Sequence, residues 1–164
     1  MAEQKRDYLD IENAQLMFRN FSGKPTKYVK NGGIRNFSIV LDQDTADRLL
    51  RDGWNIRQLA KRNPDDPIRY LLTVAVSYDN YPPKIAKKTE RSKKVVYLDQ
   101  EDIDCLDYDD IIKADVRISP YHWTVNGNSG IKAYLKSLYV TIAEDPFADE
   151  FEKDAVPAEE DLPF

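Results

Sequence analysis

The sequence predicts a mainly β fold: a five- to six-stranded antiparallel barrel with one or two short helices, followed by a disordered acidic C-terminal tail. Stretches of alternating apolar and polar residues recur along residues 10–142, at the period of two that strands require. Turn signals containing glycine, proline or asparagine separate these stretches. The acidic, proline-containing segment 144–164 cannot bury enough apolar area to fold alone. We therefore expect one folded domain, residues 1–143, and a tail, residues 144–164.

The first two strands are predicted on either side of a glycine-rich connection. Residues 10–21 alternate, with Phe18 among the apolar residues of one face, and residues 34–41 form the second strand. Gly23-Lys24-Pro25 and Asn31-Gly32-Gly33 between them are turn signals, so the two strands should pair antiparallel.

A helix and a buried strand follow. Asp42 or Asp44 can cap a helix that ends at Gly53, whose missing Cβ suits a left-handed stop. Residues 54–56 are a short extended piece. Residues 68–78 are rich in β-branched and aromatic side chains, which predicts a long, well buried strand.

The charge changes sign in the next part of the chain. Residues 84–94 hold six Lys and Arg against one acid, which predicts an exposed basic loop before a short strand, Val95–Leu98. Residues 99–110 hold seven acids, and Ile103 and Leu106 give a short helix there one apolar stripe.

The last two strands, residues 111–123 and 131–142, form the clearest hairpin, because residues 126–130 between them are rich in Asn and Gly. The apolar alternation of the second strand slips by one residue between Leu135 and Leu138, which predicts a β-bulge. This set of strands favours an OB-fold, a Greek-key barrel that presents a groove to oligonucleotides. A β-sandwich stays open, because periodicity predicts strands and not their pairing.

Composition argues against several classes of protein. Cys105 and His122 are the one cysteine and the one histidine, which leaves no disulfide framework and no Cys/His zinc set. Residues 1–7 lack the apolar region of a signal peptide, and no run of about 18 apolar residues could span a bilayer. We expect a soluble cytoplasmic protein with no membrane partner, no metal, no cofactor and no catalytic residue.

The predicted C-terminal hairpin combines basic and aromatic residues on one face. Single-stranded nucleic acid needs cations along its phosphates and flat apolar surfaces for its unpaired bases. Ordinary solvated sheet faces also carry Tyr and Lys, and that reading stays open. The predicted DNA-binding residues on the hairpin are Arg117, Tyr121, Trp123, Lys132, Tyr134 and Lys136.

Two further segments are basic. The stretch between residues 13 and 41 has no acid, and residues 84–94 form the cationic loop. Loops of this kind can close over a bound strand and contact its phosphates, although a Lys-rich loop is often simply soluble. The further DNA-binding residues predicted here are Lys27, Tyr28, Lys30, Arg35, Lys84, Lys87 and Lys88.

Enzyme motifs do not fit the sequence. Gly23-Lys24 resembles the end of a phosphate-binding loop, but a proline follows it and Phe18 replaces the first glycine. No window within residues 99–110 matches an EF-hand loop, so this acidic segment is interpreted as a solvated helix face. His122 lacks a neighbouring nucleophile and is interpreted as a strand-end or nucleic-acid contact.

The charge of the tail is opposite to that of the domain. Residues 144–164 hold nine acids and one lysine, whereas the preceding 143 residues hold 23 Lys and Arg against 20 Asp and Glu. An apolar end beside a terminal carboxylate and flanking acids has the chemistry of a docking peptide, although acidic tails can also be merely solubilising. The predicted partner-binding residues are Asp161, Leu162, Pro163 and Phe164.

These residues resemble those of bacterial and phage single-stranded DNA-binding proteins, which join an OB-fold to an acidic tail with a short apolar tip. Asp161-Leu162-Pro163-Phe164 resembles that tip. The segment 116–135, with its Pro-Tyr-His-Trp run and Asn-Gly loop, resembles the late hairpin of the phage proteins. The tetramer of the bacterial protein is not implied, because its N-terminal pattern is missing, although a homo-oligomer stays possible.

The resemblance implies a non-enzymatic phage protein, in the host cytoplasm, that coats single-stranded DNA without sequence specificity during replication, recombination and repair. Its tail would recruit a polymerase, helicase, primase or recombinase. One alternative is a β-barrel adaptor that binds no nucleic acid and recruits proteins through Leu-Pro-Phe. A small metal-dependent nuclease using residues 99–110 is a further alternative.

Overall fold

The computed structural model describes residues 8–27, 30–79, 82–91 and 93–143. The fold is mainly β, as predicted, with one α-helix, α1 (Gln43–Asp52), and one 3₁₀ helix (Ile103–Asp107). The strands of the described residues are β1 (Leu9–Ile11), β2 (Gln15–Asn20), β3 (Arg35–Leu41), β4 (Ile56–Leu59), β5 (Arg69–Val76), β6 (Lys84–Thr89), β7 (Val95–Leu98), β8 (Ile111–Val125) and β9 (Asn128–Ile142).

The strand order β2-β3-β5-β9-β8 is that of a five-stranded Greek-key barrel. The ends of this path approach each other where the Ala14 N–H donates to the Ala114 carbonyl at 2.7 Å. Four shorter strands, β1, β4, β6 and β7, add to it. The sheet is mixed rather than wholly antiparallel, because β9 runs parallel to both β5 and β6.

The N-terminal strand predicted over residues 10–21 is two strands with different partners. β1 pairs with β8 and β2 pairs with β3. The chain changes direction at Asn13, which has a left-handed φ of 51° and whose N–H donates to Asp115 at 3.0 Å. The prediction that Phe18 lies on the inner face is wrong, because β2 bulges between Met17 and Asn20 and leaves Phe18 58% exposed.

The predicted helix and its neighbours are confirmed. Asp42 caps α1 by accepting from the Thr45 N–H at 2.8 Å, and Gly53 ends it with φ 104°. Ala46 and Leu49 bury its inner face. The buried strand predicted at residues 68–78 is β5, and the short extended piece continues as β4 along its edge.

The predicted basic loop at residues 84–94 is wrong for its first half, which forms β6 between β7 and β9. Ile85 and Ala86 are buried within this lysine-rich stretch. The sequence did not indicate a strand here, because only two apolar residues lie among six basic ones.

The C-terminal hairpin and its bulge are confirmed. Asn126 and Gly127 form a two-residue turn with φ of 51° and 82°, the left-handed pair that tight hairpins prefer. β9 contains one extra residue, Lys136, because Arg117 pairs with Ser137 while Ile118 pairs with Leu135. Ile112 occupies a second irregularity, near the start of β8, and is exposed rather than part of the inner face.

The acidic segment is more than a solvated helix face. The Asp107 carboxylate accepts from the Phe21 N–H at 2.5 Å and from Ser22 Oγ at 2.7 Å, so it anchors the β2–β3 connection. Arg19 donates to the carbonyls of Leu106 and Asp109. The 3₁₀ helix is therefore bound to the strand and loop that precede it by more than eighty residues.

In the part of the chain that is described, no helix is both long and apolar enough to cross a membrane. The predicted disordered tail, residues 144–164, lies outside the described residues.

Candidate nucleic-acid interface

The outer side of the β8–β9 hairpin carries the predicted basic and aromatic cluster. Residues directly opposite each other in the two strands share a face, and Tyr121 pairs with Lys132 while Ser119 pairs with Tyr134. Their sequence neighbours Ala133 and Leu135 are buried, so this set faces away from the core. We call the set Ser119, Tyr121, Trp123, Lys132 and Tyr134 the hairpin face.

The aromatic rings of the hairpin face contact each other and a cation. Tyr121 meets Tyr134 edge to face, with centroids 5.8 Å apart and planes at 85°. Lys132 Nζ lies 5.1 Å from the centroid of Tyr134. Tyr121 remains 56% exposed, and Lys132 is exposed beside the two rings.

Trp123 owes its position to Gly130 across the hairpin. A Cβ on Gly130 would lie 2.7 Å from Cζ2 of Trp123, so the indole rests on the bare glycine backbone. The same Cβ would lie 2.9 Å from Oδ1 of Asn55, which closes the other side. The sequence analysis placed Gly130 in the hairpin loop. The structure shows instead that Gly130 pairs with Trp123 and leaves space for its indole ring.

The hairpin is fixed to the barrel beside α1. The Ile131 N–H donates to Gly53 O at 2.8 Å, and the Asn55 N–H donates to Ile131 O at 3.1 Å. Trp54 is buried at this junction, so its ring belongs to the core and not to the hairpin face. The hairpin face is therefore attached to the segment that follows α1 by two backbone hydrogen bonds.

The outer surface continues from Tyr134 across two more strands. Tyr134 neighbours Ala75 of β5, and Ala75 pairs with Asn36 of β3. Beside them, Ser38 Oγ and Thr73 Oγ1 form a hydrogen bond of 3.2 Å. Thr73 is exposed and Ala75 is half-buried, so these two small side chains form an accessible floor next to Tyr134, whereas Ser38 is only 2% exposed. Sequence analysis missed them, although small polar residues alternating with buried ones in β3 and β5 are a usable signal.

Comparison with protein families indicates a domain that binds nucleic acid. A family model described as "Putative phage ssDNA-binding domain" matches residues 1–162. The chain belongs to this family of phage single-stranded DNA-binding domains.

Solved structures of the single-stranded DNA-binding protein from bacteriophage Enc34 share the fold of this phage domain. The complex of that protein with ssDNA has a TM-score of 0.52 at 12% identity, covering 89% of this chain and 96% of that one. The protein alone has a TM-score of 0.51 at 11% identity, covering 89% and 90%. A C-terminal truncation of it has a TM-score of 0.50 at 12% identity, covering 89% and 96%. No curated protein matches the chain.

As a phage single-stranded DNA-binding domain, the chain is a binding protein and not an enzyme. Within the described ranges, no group of three His, Cys, Asp or Glu side chains is arranged to hold a metal ion.

Two predicted arginines of this phage domain already have partners in the fold. Arg117 makes a two-point ion pair with Asp10, at 2.8 and 3.0 Å, and its guanidinium lies 5.5 Å from the ring of Tyr8. The hydrogen bond from Arg117 lowers the pKa of Asp10 below its usual value. Arg35 lies opposite buried Val76, with its guanidinium 5.9 Å from Tyr78, on the core side of the sheet.

The predicted lysines are distributed over three elements. Lys27 and Lys30 are exposed in the β2–β3 connection, while Tyr28 between them lies outside the described residues. Lys136 is half-buried at the bulge of β9. Lys84 and Lys88 are exposed on β6, where Lys84 Nζ lies 5.3 Å from the ring of Tyr97.

Lys87 differs from its neighbours, because its ammonium is directed to the 3₁₀ helix. It pairs with Asp109 at 3.1 Å and donates to Cys105 Sγ at 3.4 Å. Burial lowers the pKa of Lys87, but the hydrogen bonds to Asp109 and Cys105 outweigh burial and raise the pKa overall. The geometry thus makes Lys87 a structural cation.

Phe18 is an exposed aromatic residue that the sequence analysis placed among the apolar residues of one strand face. It lies on the bulge of β2 with a left-handed φ of 52°, a conformation that costs a bulky side chain free energy. Met17 beside it pairs with Ser38, on the same outer surface as the floor. A strained, 58% exposed aromatic ring near this surface is a further candidate for base contact.

Proposed function

We propose that this phage domain binds single-stranded DNA without sequence specificity, with the bases against the hairpin face and the phosphates against the lysines around it. The observation that carries the proposal is the contact set around Tyr134, whose ring lies 5.8 Å from the ring of Tyr121 and 5.1 Å from Lys132 Nζ. Every base has a flat π-face, so stacking on such rings tolerates any sequence.

The floor formed by β3 and β5 supports this path. OB-folds bind oligonucleotides on the face of their second and third strands and with the loops at its ends. In the Greek-key order of this chain those strands are β3 and β5, and the loops are the lysine-bearing β2–β3 connection and the β8–β9 turn. Small side chains at Ala75 and Thr73 leave room for bases beside Tyr134.

In this proposal, lysines of the β2–β3 connection and of the β8–β9 hairpin contact the phosphates of the DNA. Lys27, Lys30 and Lys132 are exposed, and Lys136 is half-exposed. Arg117 contributes less, because DNA would first have to displace Asp10 from its guanidinium. The cations of β6 lie farther along β9, and a longer oligonucleotide would reach them.

Binding to oligo(dT) should exceed binding to duplex of the same length and should weaken steeply with salt. About four lysine–phosphate contacts correspond to a slope of roughly −3 in log K against log salt, at about −0.7 per single-strand contact. The measurement is fluorescence anisotropy of labelled oligonucleotides at several salt concentrations, with tyrosine and tryptophan quenching recorded together. Equal affinity for duplex, or no dependence on salt, would contradict the proposal; no binding to either would favour the adaptor function.

The acidic segment 144–164 is proposed to recruit proteins of replication, recombination or repair. Nine acids and the Asp161-Leu162-Pro163-Phe164 sequence support this, because they combine steering charge with an apolar anchor. The same acids are tethered to a basic domain, so they compete with DNA at a high local concentration.

Two variants separate these roles of the segment. Removing residues 159–164 should abolish recruitment and preserve or tighten DNA binding, since three acids leave with the apolar tip. Leu162→Ala with Phe164→Ala keeps all the acids, so it should abolish recruitment and leave DNA affinity unchanged. Pull-downs with purified polymerase, helicase, primase and recombinase, beside oligo(dT) titrations, measure both. A large loss of DNA affinity in the truncated chain would disprove this division of roles.

A further inference from the structure

Strand β7 is an open edge of the sheet with three consecutive exposed apolar residues. It pairs with β6 and with no other described strand. Val95, Val96 and Tyr97 are 53%, 44% and 62% exposed. Edge strands normally carry charges, prolines or covers along their length, because unpaired backbone groups attract another strand. β7 itself has charges at its two ends and none between them, and the neighbouring β6 places Lys84 Nζ 5.3 Å from the Tyr97 ring.

Those end charges have opposite signs. Lys93 and Lys94 precede β7, while Asp99, Glu101 and Asp102 follow it. An antiparallel copy of the same strand would bring the basic start of each strand to the acidic end of the other. A parallel copy would place lysines beside lysines. The edge is therefore complementary to itself in one orientation.

The backbone shows which residues face the open edge. The Thr89 N–H donates to the Lys94 carbonyl at 3.2 Å, which closes the β6–β7 turn. In an antiparallel pair, successive residues direct their backbone N–H and C=O groups alternately toward and away from the partner strand. Counting from Lys94, Val96 bonds to β6, and Val95 and Tyr97 direct their backbone groups to the open edge. Strands pair through outward groups, and the register in which Val95 opposes Tyr97 of the other copy pairs the outward groups of both residues in both copies.

We propose that two copies of this chain associate through β7, antiparallel and with the two-fold axis at Val96. Val95 of each copy then packs on Tyr97 of the other, a β-branched and aromatic cross-strand pair. The interface is isologous, so it closes at a dimer. β6, the partner of β7, lies beside the half of β9 beyond the bulge, and the hairpin face lies on the other half, so association leaves that face uncovered.

Cysteine scanning tests the register. Opposing Val96 residues form a non-hydrogen-bonded pair with Cα atoms about 4.5 Å apart, within the range of a disulfide. Val96→Cys should therefore cross-link between copies on mild oxidation, and Val95→Cys and Tyr97→Cys should do so much less. The native chain, with Cys105 alone, gives the background. Cross-linking strongest at Tyr97→Cys, or none above background, would overturn the register.

Sedimentation equilibrium of the full chain tests the association itself. Val96→Lys should raise the dimer dissociation constant by about 10-fold or more, because the two-fold axis places the two ammonium groups directly opposite each other. Val125→Lys is the matched control, since Val125 is 58% exposed at the hairpin turn, and it should leave association unchanged. Lys93→Glu should weaken association, and adding Asp99→Lys should restore it, because the proposed register places residue 93 opposite residue 99 of the other copy. A native chain that stays monomeric, or equal behaviour of the two Val→Lys variants, would overturn the proposal.

Discussion

The double variant Tyr121→Ala, Tyr134→Ala should bind oligo(dT) about 30-fold more weakly than the native chain, or worse. Stacking contributes roughly 1–3 kcal/mol per base, and a factor of ten in affinity corresponds to about 1.4 kcal/mol. The two rings meet edge to face, so removing one also frees the other. The combined loss should therefore differ from the sum of the single losses.

Three variants make this result specific to the rings of the hairpin face. Tyr121→Phe with Tyr134→Phe keeps the rings and should bind almost normally. Tyr108→Ala removes a tyrosine that is 78% exposed beyond the 3₁₀ helix and should have little effect. Lys132→Gln should reduce the magnitude of the salt slope by about 0.7, whereas the ring variants should keep the native slope. Equal losses in the Tyr108 and Tyr121 variants would show that the bases contact another surface.

Asp107→Ala should lower the free energy of unfolding by about 2–3 kcal/mol. The substitution leaves the Phe21 N–H and the Ser22 hydroxyl without the carboxylate that accepts from them, in a partly buried site. Phe21 is fully buried and stacks on Phe37 at 5.1 Å, so the loss falls on a core residue as well as on the connection. Thermal unfolding should show a decrease of about 4–12 °C in Tm.

Asp104→Ala is the matched control for this prediction, because Asp104 is an exposed acid on the same 3₁₀ helix. Its effect should stay within about 0.5 kcal/mol. Asp107→Asn retains one accepting oxygen and should fall between the two. Equal stability of the Asp104 and Asp107 variants would show that the β2–β3 connection is held by other contacts.

Local features of the fold were predictable from the sequence because their causes are local. The Asp42 cap, the left-handed Gly53 and the Asn-Gly turn each follow from the conformational preferences of one or two residues. The bulge at Lys136 was predictable for a different reason. A shift of one residue in a strand reverses which side chains face the core, so Leu135 and Leu138 can both be buried only if one residue is inserted between them.

The remaining features depend on contacts between residues far apart in sequence. The alternation of β9 does not reveal that β5 and β6 run parallel to it. The lysines of β6 obscured its strand pattern in the sequence. A local bulge in β2 exposes Phe18, although Phe18 is apolar. At the candidate site, the rings and Lys132 could be predicted, because an exposed strand alternates them on one face. Gly130 and the floor at Ala75 became recognisable only once neighbouring strands were in place.

Strand β9 bonds to three partners, with β5 beside its first half, β6 beside its second half and β8 along both. The ladder to β8 shifts at Lys136, so the bulge divides β9 into these two halves. The first half carries Lys132 and Tyr134 of the hairpin face, and the second half connects through β6 to the open edge at β7. One strand therefore belongs to both of the proposed contact surfaces, and the inserted residue separates them.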